Sequence, residues 1–78
     1  MASFSVIIQS SAETELRQCP FPFRRQIVQA IYKLKNNPRP SAVEMIESDR
    51  FRLSIHGWFV IYELDDVAAV ITVFRIYR

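Results

Sequence analysis

The spacing of hydrophobic positions along this chain changes period near its middle. Phe4, Val6 and Ile8 alternate loosely between Ser3 and Ile8, with β-branched residues among them, and predict a short strand. Ser10-Ser11-Ala12-Glu13 then has the form of a capping box, in which the Ser10 hydroxyl accepts from the Glu13 amide and the Glu13 carboxylate reaches back. A short helix is expected to follow through Ala12 and Leu16 to about Cys19. Pro20-Phe21-Pro22 cannot continue it, because proline lacks an amide hydrogen and restricts the residue before it. Pro22 is placed just ahead of a second helix, whose buried stripe is Phe23, Ile27, Ile31 and Leu34 with Ala30 beside it. Arg24, Arg25, Gln29, Lys33 and Lys35 occupy its other faces, with Lys33 and Lys35 in the last turn, where cations favour the helix dipole. Asn36-Asn37-Pro38-Arg39-Pro40 ends the helix in a loop.

Beyond this loop the period becomes two. Val43 to Ile46 is short enough to be strand or loop. From Phe51 the alternation is strict: Phe51, Leu53 and Ile55 point one way, and Arg52, Ser54 and His56 the other. Gly57 supplies a turn, Trp58 to Leu64 a second strand, Asp65-Asp66 another turn, and Val67 to Tyr77 a third strand. Close turns make these strands an antiparallel meander. The expected architecture is α+β, with an N-terminal strand and two helices packed on one face of a small, mainly antiparallel sheet. Residues 1–78 form one domain in this reading, without repeat or linker.

Composition narrows the chemistry. The chain has 78 residues, half of them hydrophobic, which suffices for one core but not for a core and a deep cofactor pocket. No cofactor and no metal are expected. One cysteine, Cys19, cannot form an internal disulfide and reads as a small buried hydrophobe. Met1-Ala2-Ser3-Phe4 lacks the basic start and long apolar run of a signal peptide, and no apolar stretch reaches membrane-spanning length. A cytoplasmic location without membrane association is therefore expected. The net charge is +2, but unevenly spread. Residues 1–40 carry Arg17, Arg24, Arg25, Lys33, Lys35 and Arg39 against Glu13 and Glu15. The remainder carries four arginines against six carboxylates. Arginine predominates among the cations, and its planar fork suits phosphate or carboxylate.

Element order and motifs together resemble the RelE/ParE superfamily of bacterial and archaeal toxin–antitoxin systems. Ser11-Ala12-Glu13-Thr14-Glu15-Leu16 resembles that family's Ser-Ala-x-x-x-Leu helix start. Leu34-Lys35-Asn36-Asn37-Pro38-Arg39-Pro40 matches its Leu-x-x-Asn-Pro-x-Pro ending. Phe51-Arg52-Leu53-Ser54, His56-Gly57 and Phe59-Val60-Ile61-Tyr62-Glu63 follow its sheet pattern, and Ile76-Tyr77-Arg78 its Val-Tyr-Arg finish. The resemblance implies a toxin neutralised by a small cognate antitoxin, in a toxin–antitoxin hetero-oligomer. RelE-like members cleave messenger RNA on the ribosome without metal, whereas ParE-like members poison DNA gyrase. One scaffold serves both, so the fold does not choose between them.

Metal-free RNA cleavage needs a base for the 2′-hydroxyl, cations around the phosphorane, and an acid for the leaving oxygen. Arg52 and Arg75 are the candidate phosphate-binding residues. Tyr77 is a candidate for base stacking or proton transfer, and His56, the only histidine, a candidate general acid or base. Solvated strand positions, a turn polar residue and a chain-end aromatic are the ordinary alternatives. Arg24, Arg25, Lys33, Lys35 and Arg39 are candidates for a basic RNA-binding face, an antitoxin contact, or a simply solvated surface. The chain departs from the family pattern in three places. Ser54 and Phe59 stand where arginines are usual, and the stretch that often carries Gly-His-Arg is missing between Ile76 and Tyr77. These departures favour a second reading, a non-catalytic binding protein: either a ParE-like gyrase inhibitor or a degenerate toxin that only binds antitoxin. An unrelated α+β interaction module is the third, and a different strand order would favour it.

Overall fold

A computed structural model describes residues 3–78; Met1 and Ala2, half of the stretch weighed above as a leader, lie outside the described residues. The elements are β1 (Ser5–Ile8), α1 (Ser10–Gln18), α2 (Phe21–Lys33), β2 (Val43–Glu47), β3 (Arg50–Ile55), β4 (Trp58–Asp65) and β5 (Val70–Tyr77). The sheet order is β1-β5-β4-β3-β2. Strands β2 to β5 form the expected antiparallel meander, and β1 adds in parallel to β5, Ser5 opposite Val70 and Ile8 opposite Val73. The α+β expectation holds, and the ambiguous segment at Val43 is an edge strand.

Both helices bury one stripe against one face of this sheet. Ala12, Leu16, Ile27, Ile31 and Leu34 meet Phe51, Leu53, Val60, Tyr62, Leu64, Ile71, Val73 and Ile76 in a single hydrophobic cluster that also takes in Cys19. Burial of that apolar area is the main driving force of the fold. The Tyr62 hydroxyl lies inside this core and donates to the Pro38 carbonyl oxygen at 2.7 Å, which satisfies it and pins the Asn-Pro loop. Burial pushes the Tyr62 phenol up from 10.0 to about 12, against a smaller opposing effect of Arg39.

Four local expectations are corrected. Ser10 is not the cap of α1. Gln9 holds that position without a side-chain bond, and the Glu13 amide donates to the Gln9 carbonyl at 2.8 Å. The Gln9 amide is bonded to the Val73 carbonyl, so pairing with β5 sets where β1 becomes helix, one residue earlier than the capping pattern implies. Pro22 lies within the first turn of α2, where no intrahelical donor is required, and Pro20 is the cap. Lys35 falls just past α2 in the terminal turn. Val67 is fully exposed in a four-residue turn, Asp66 to Ala69, and β5 begins only at Val70. The Asp65 carboxylate accepts from the Ala68 amide at 2.9 Å, and Ala69 takes φ 57°, so side-chain hydrogen bonding extends the turn at the strand's expense.

Candidate functional site on the outer sheet face

The face of the sheet turned away from the helices is built by register. Across β2, β3, β4 and β5, Glu44, Arg52, Ile61 and Arg75 are aligned in one row, and Ser54, Phe59 and Tyr77 in the next. Strict alternation in β5 would bury Arg75 and expose Ile76. A β-bulge prevents this. Ile61 pairs with Arg75 and Tyr62 with Val73, leaving Phe74 without a partner. Val73 and Ile76 are consequently both core residues, 0% and 2% exposed although three apart, and Arg75 is turned outward with Tyr77. Arg52, Arg75 and Tyr77 thus share the outer face.

Cations and rings are layered there. The Arg52 guanidinium carbon lies 5.0 Å from the Phe59 centroid, Arg75 lies 5.1 Å from the Tyr77 ring, and Phe59 and Tyr77 are 5.4 Å apart. Arg50 covers Phe74 at 5.1 Å and is held by Glu63 through Nε, at 3.0 Å, and Nη2. Arg52 Nη2 is 2.7 Å from a Glu44 carboxylate oxygen. The Tyr77 hydroxyl, and after it the Glu44 carboxylate, holds the Arg52 guanidinium above its ordinary pKa, so its charge is permanent. Arg75 Nε donates to Glu15 at 3.2 Å. The surface is a set of fixed cations on aromatic rings, with carboxylates at its margins. That arrangement fits a phosphate chain carrying unpaired bases.

His56 does not join this face. Alternation ends at Ile55, and His56 is the first residue of a two-residue turn, with φ 50° followed by Gly57 at 85°. Positive φ at both positions is the hairpin geometry that matches strand twist. The turn directs His56 toward α2, where it borders an open depression with Gln26, Gln29, Ala30, Lys33 and Ile55. The five basic helix and loop residues are not one surface either. Arg24 is spent on structure: its Nη2 donates to the carbonyls of Arg17 at 2.9 Å and Cys19 at 3.1 Å, closing the C-terminus of α1. Arg39 forms a two-point pair with Asp66, at 2.8 and 3.3 Å, which holds the Asp66 carboxyl below its usual range. Lys35 lies over the Tyr32 ring at 5.7 Å. Arg25 and Lys33 remain exposed on α2. Burial raises the Cys19 pKa, so the thiol remains protonated as expected of a core residue.

Sequence reasoning missed Glu15, Glu44 and the pair Arg50–Phe74. Glu44 carried no signal because β2 was ambiguous, and Glu15 because its contacts lie about sixty positions away. Phe74 is outward by simple alternation with the core residues Ile71 and Val73, but its pairing with Arg50 joins two strands that sequence alone does not bring together. Among the described residues there is no group of three or more His, Cys, Asp or Glu placed to hold a metal ion, and no helix long and apolar enough to cross a membrane.

Five strands in this order, two helices on one face and a cationic, aromatic opposite face define a class of small α+β protein. The chain is similar to the RelBE2 toxin–antitoxin complex of Mycobacterium tuberculosis, at a TM-score of 0.85 and 15% identity, covering 97% of this chain and 98% of that one. It is similar to the intact RelBE toxin–antitoxin complex of E. coli, at 0.87 and 18%, covering 97% and 96%. It is also similar to the archaeal RelE–RelB complex of Pyrococcus horikoshii, at 0.84 and 18%, covering 96% and 93%. The fold is therefore RelE-like, as the motifs implied, and the third reading, an unrelated module with another strand order, is set aside. No family model matches the sequence, and no curated protein matches it.

Proposed function

We propose that this protein is the toxin of a toxin–antitoxin pair, acting in the cytoplasm as a ribosome-dependent, metal-free endoribonuclease and held inactive by a cognate antitoxin. The observation that carries the reading is the convergence of Arg52, Arg75 and Tyr77 on the outer sheet face, from β3 and β5 with β4 between them. RNA cleavage here is an internal transfer. The 2′-oxygen bonds to phosphorus, its proton leaves to a base, the P–O5′ bond breaks, and the 5′-oxygen is protonated. Arg52 and Arg75 neutralise the phosphorane charge. Glu44, held beside Arg52 at 2.7 Å, is suited to accept the 2′-hydroxyl proton. The Tyr77 phenol is suited to donate to the leaving oxygen, and Phe59 offers a ring for an unpaired base.

The test is induced expression followed by mapping of transcript ends. Growth arrest with cuts at ribosome-bound codons is expected. Arg52→Ala should lower the single-turnover cleavage rate on programmed ribosomes by about 10²–10³ while far-UV circular dichroism is unchanged. Intact transcripts during arrest would instead favour the second reading in its gyrase-binding form, and intact transcripts with normal growth its form as a degenerate toxin that only binds antitoxin. Phe59, which stands where an arginine is usual, and Ile61, which adds apolar area beside it on the outer face, are the features on its side.

A further inference from the structure

Glu15 makes two contacts that no other residue of α1 makes. Its Oε1 accepts the backbone amide of Ile76 at 2.8 Å, and its Oε2 accepts Nε of Arg75 at 3.2 Å. The first contact has a clear structural cause. Strand β1 covers the edge of β5 only as far as Val73, so the amide of Ile76 has no strand partner on that side. The carboxylate of α1 stands in for the strand that has run out. The second contact falls on the residue that the bulge turns outward. It engages only Nε; among the described residues neither Nη of Arg75 has a hydrogen-bond partner, and the guanidinium lies 5.1 Å from the Tyr77 ring.

We infer that Glu15 is a positioning residue: it holds the Arg75 guanidinium by Nε so that both Nη groups face an RNA phosphate beside Tyr77. This rests on the reading of the outer face as the RNA-contacting surface. The arginine is pinned on one side by a carboxylate and on another by a ring, so little side-chain freedom remains to be lost when phosphate binds. A free arginine on a strand would lose more.

The opposite expectation makes the inference testable. As a mere surface anion near a phosphate site, Glu15 would repel RNA, and neutralising it would tighten binding. As a positioning residue, its neutralisation loosens binding. Glu15→Gln suits the test because its single carbonyl oxygen can still accept the Ile76 amide, while its NH₂ presents a donor to Nε, which is also a donor. Affinity for ribosomes programmed with a synthetic messenger and an empty decoding site is measured at several salt concentrations. Glu15→Gln is expected to weaken binding roughly tenfold, as Arg75→Ala does. Each should lower the salt slope by about 0.7, the loss of one phosphate contact to a single strand, and the double variant should add nothing. The Arg75 Nε–H signal in ¹⁵N NMR should be protected from exchange in the parent and lost in Glu15→Gln. Arg75→Lys, which keeps the charge but lacks Nε, should behave like Glu15→Gln, so the inference remains testable even if Glu15→Gln folds poorly. Unchanged or tighter binding by Glu15→Gln, with Arg75→Ala weakened, overturns the positioning role and leaves the outer face standing. Unchanged binding by both Arg75→Ala and Arg52→Ala overturns the outer-face reading and the inference with it.

Discussion

At the scale of single residues, chemistry here depends on what each cation is already holding. Arg24 is committed to a helix end, where its guanidinium bonds two carbonyls, whereas Arg39, Arg52 and Arg75 are each held by a carboxylate, and Arg52 and Arg75 are the two that lie on the outer sheet face. His56→Ala is accordingly expected to leave ribosome-dependent cleavage at the parent rate in the assay in which Arg52→Ala fails; a large loss would return His56 to the site. Tyr62 is the other residue with a definite consequence. The folded chain keeps its phenol proton to about pH 12, whereas the unfolded chain loses it near 10.0. Between those values the native state binds more protons than the unfolded state, so stability falls as pH rises through that window and is intact below it. Urea unfolding at a series of alkaline pH values should show this decline. Tyr62→Phe should remove Tyr62's share of the decline and cost roughly 1 kcal/mol at neutral pH, the value of a typical hydrogen bond, here the one to Pro38.

At the scale of elements, one tight turn and one bulge do most of the placing. The His56-Gly57 turn sets the register in which Ser54 faces Phe59 and Arg52 faces Ile61. Gly57 has φ 85° and open space around it, so a side chain there meets conformational strain and no clash. Gly57→Ala is expected to destabilise the protein by about 1 kcal/mol in denaturant titration without moving the outer face. The bulge at Phe74 acts differently. It changes which side chains face out while leaving the core closed, which is why Arg75 and Tyr77 join Arg52 on the outer surface. Period-two reading of Val67 to Tyr77 could not show this, because a bulge adds one residue to one strand and its cause lies in the partner strand's packing.

At the scale of the whole molecule, both helices and strands β3 to β5 supply the buried residues of one core, with side chains of β1 and β2 packed against it, and among the described residues no second cluster backs it up. A chain of this size has a stability of only about 5–10 kcal/mol. Ile71, fully buried near the start of β5, is therefore a severe test. Ile71→Ala should cost about 2–5 kcal/mol, and unfolding should remain a single transition by fluorescence and circular dichroism alike. Two separate transitions would show that the core is divided. The same economy explains the site. With one face of the sheet consumed by the helices, the other is the open one on which the proposed site would lie, and an open sheet face suits an extended polymer or a protein surface better than an enclosed small molecule.

The sequence by itself determined the element types, the loop at Asn36–Pro40, the inward stripe of each helix and the resemblance in motif order. All follow from local period, proline and turn chemistry acting within a few residues. Arg52 was legible for the same reason, lying on a strictly alternating strand. Tertiary structure decided what depended on distant partners. Backbone pairing of Gln9 with Val73 started α1 one residue early, and the turn after Asp65 shortened β5. A bulge turned Arg75 and Tyr77 together onto the outer face that carries Arg52, and Glu15 reached across from α1 to hold the arginine there. Strand register and long-range hydrogen bonds are set by packing between segments far apart in the chain, and no local pattern records them.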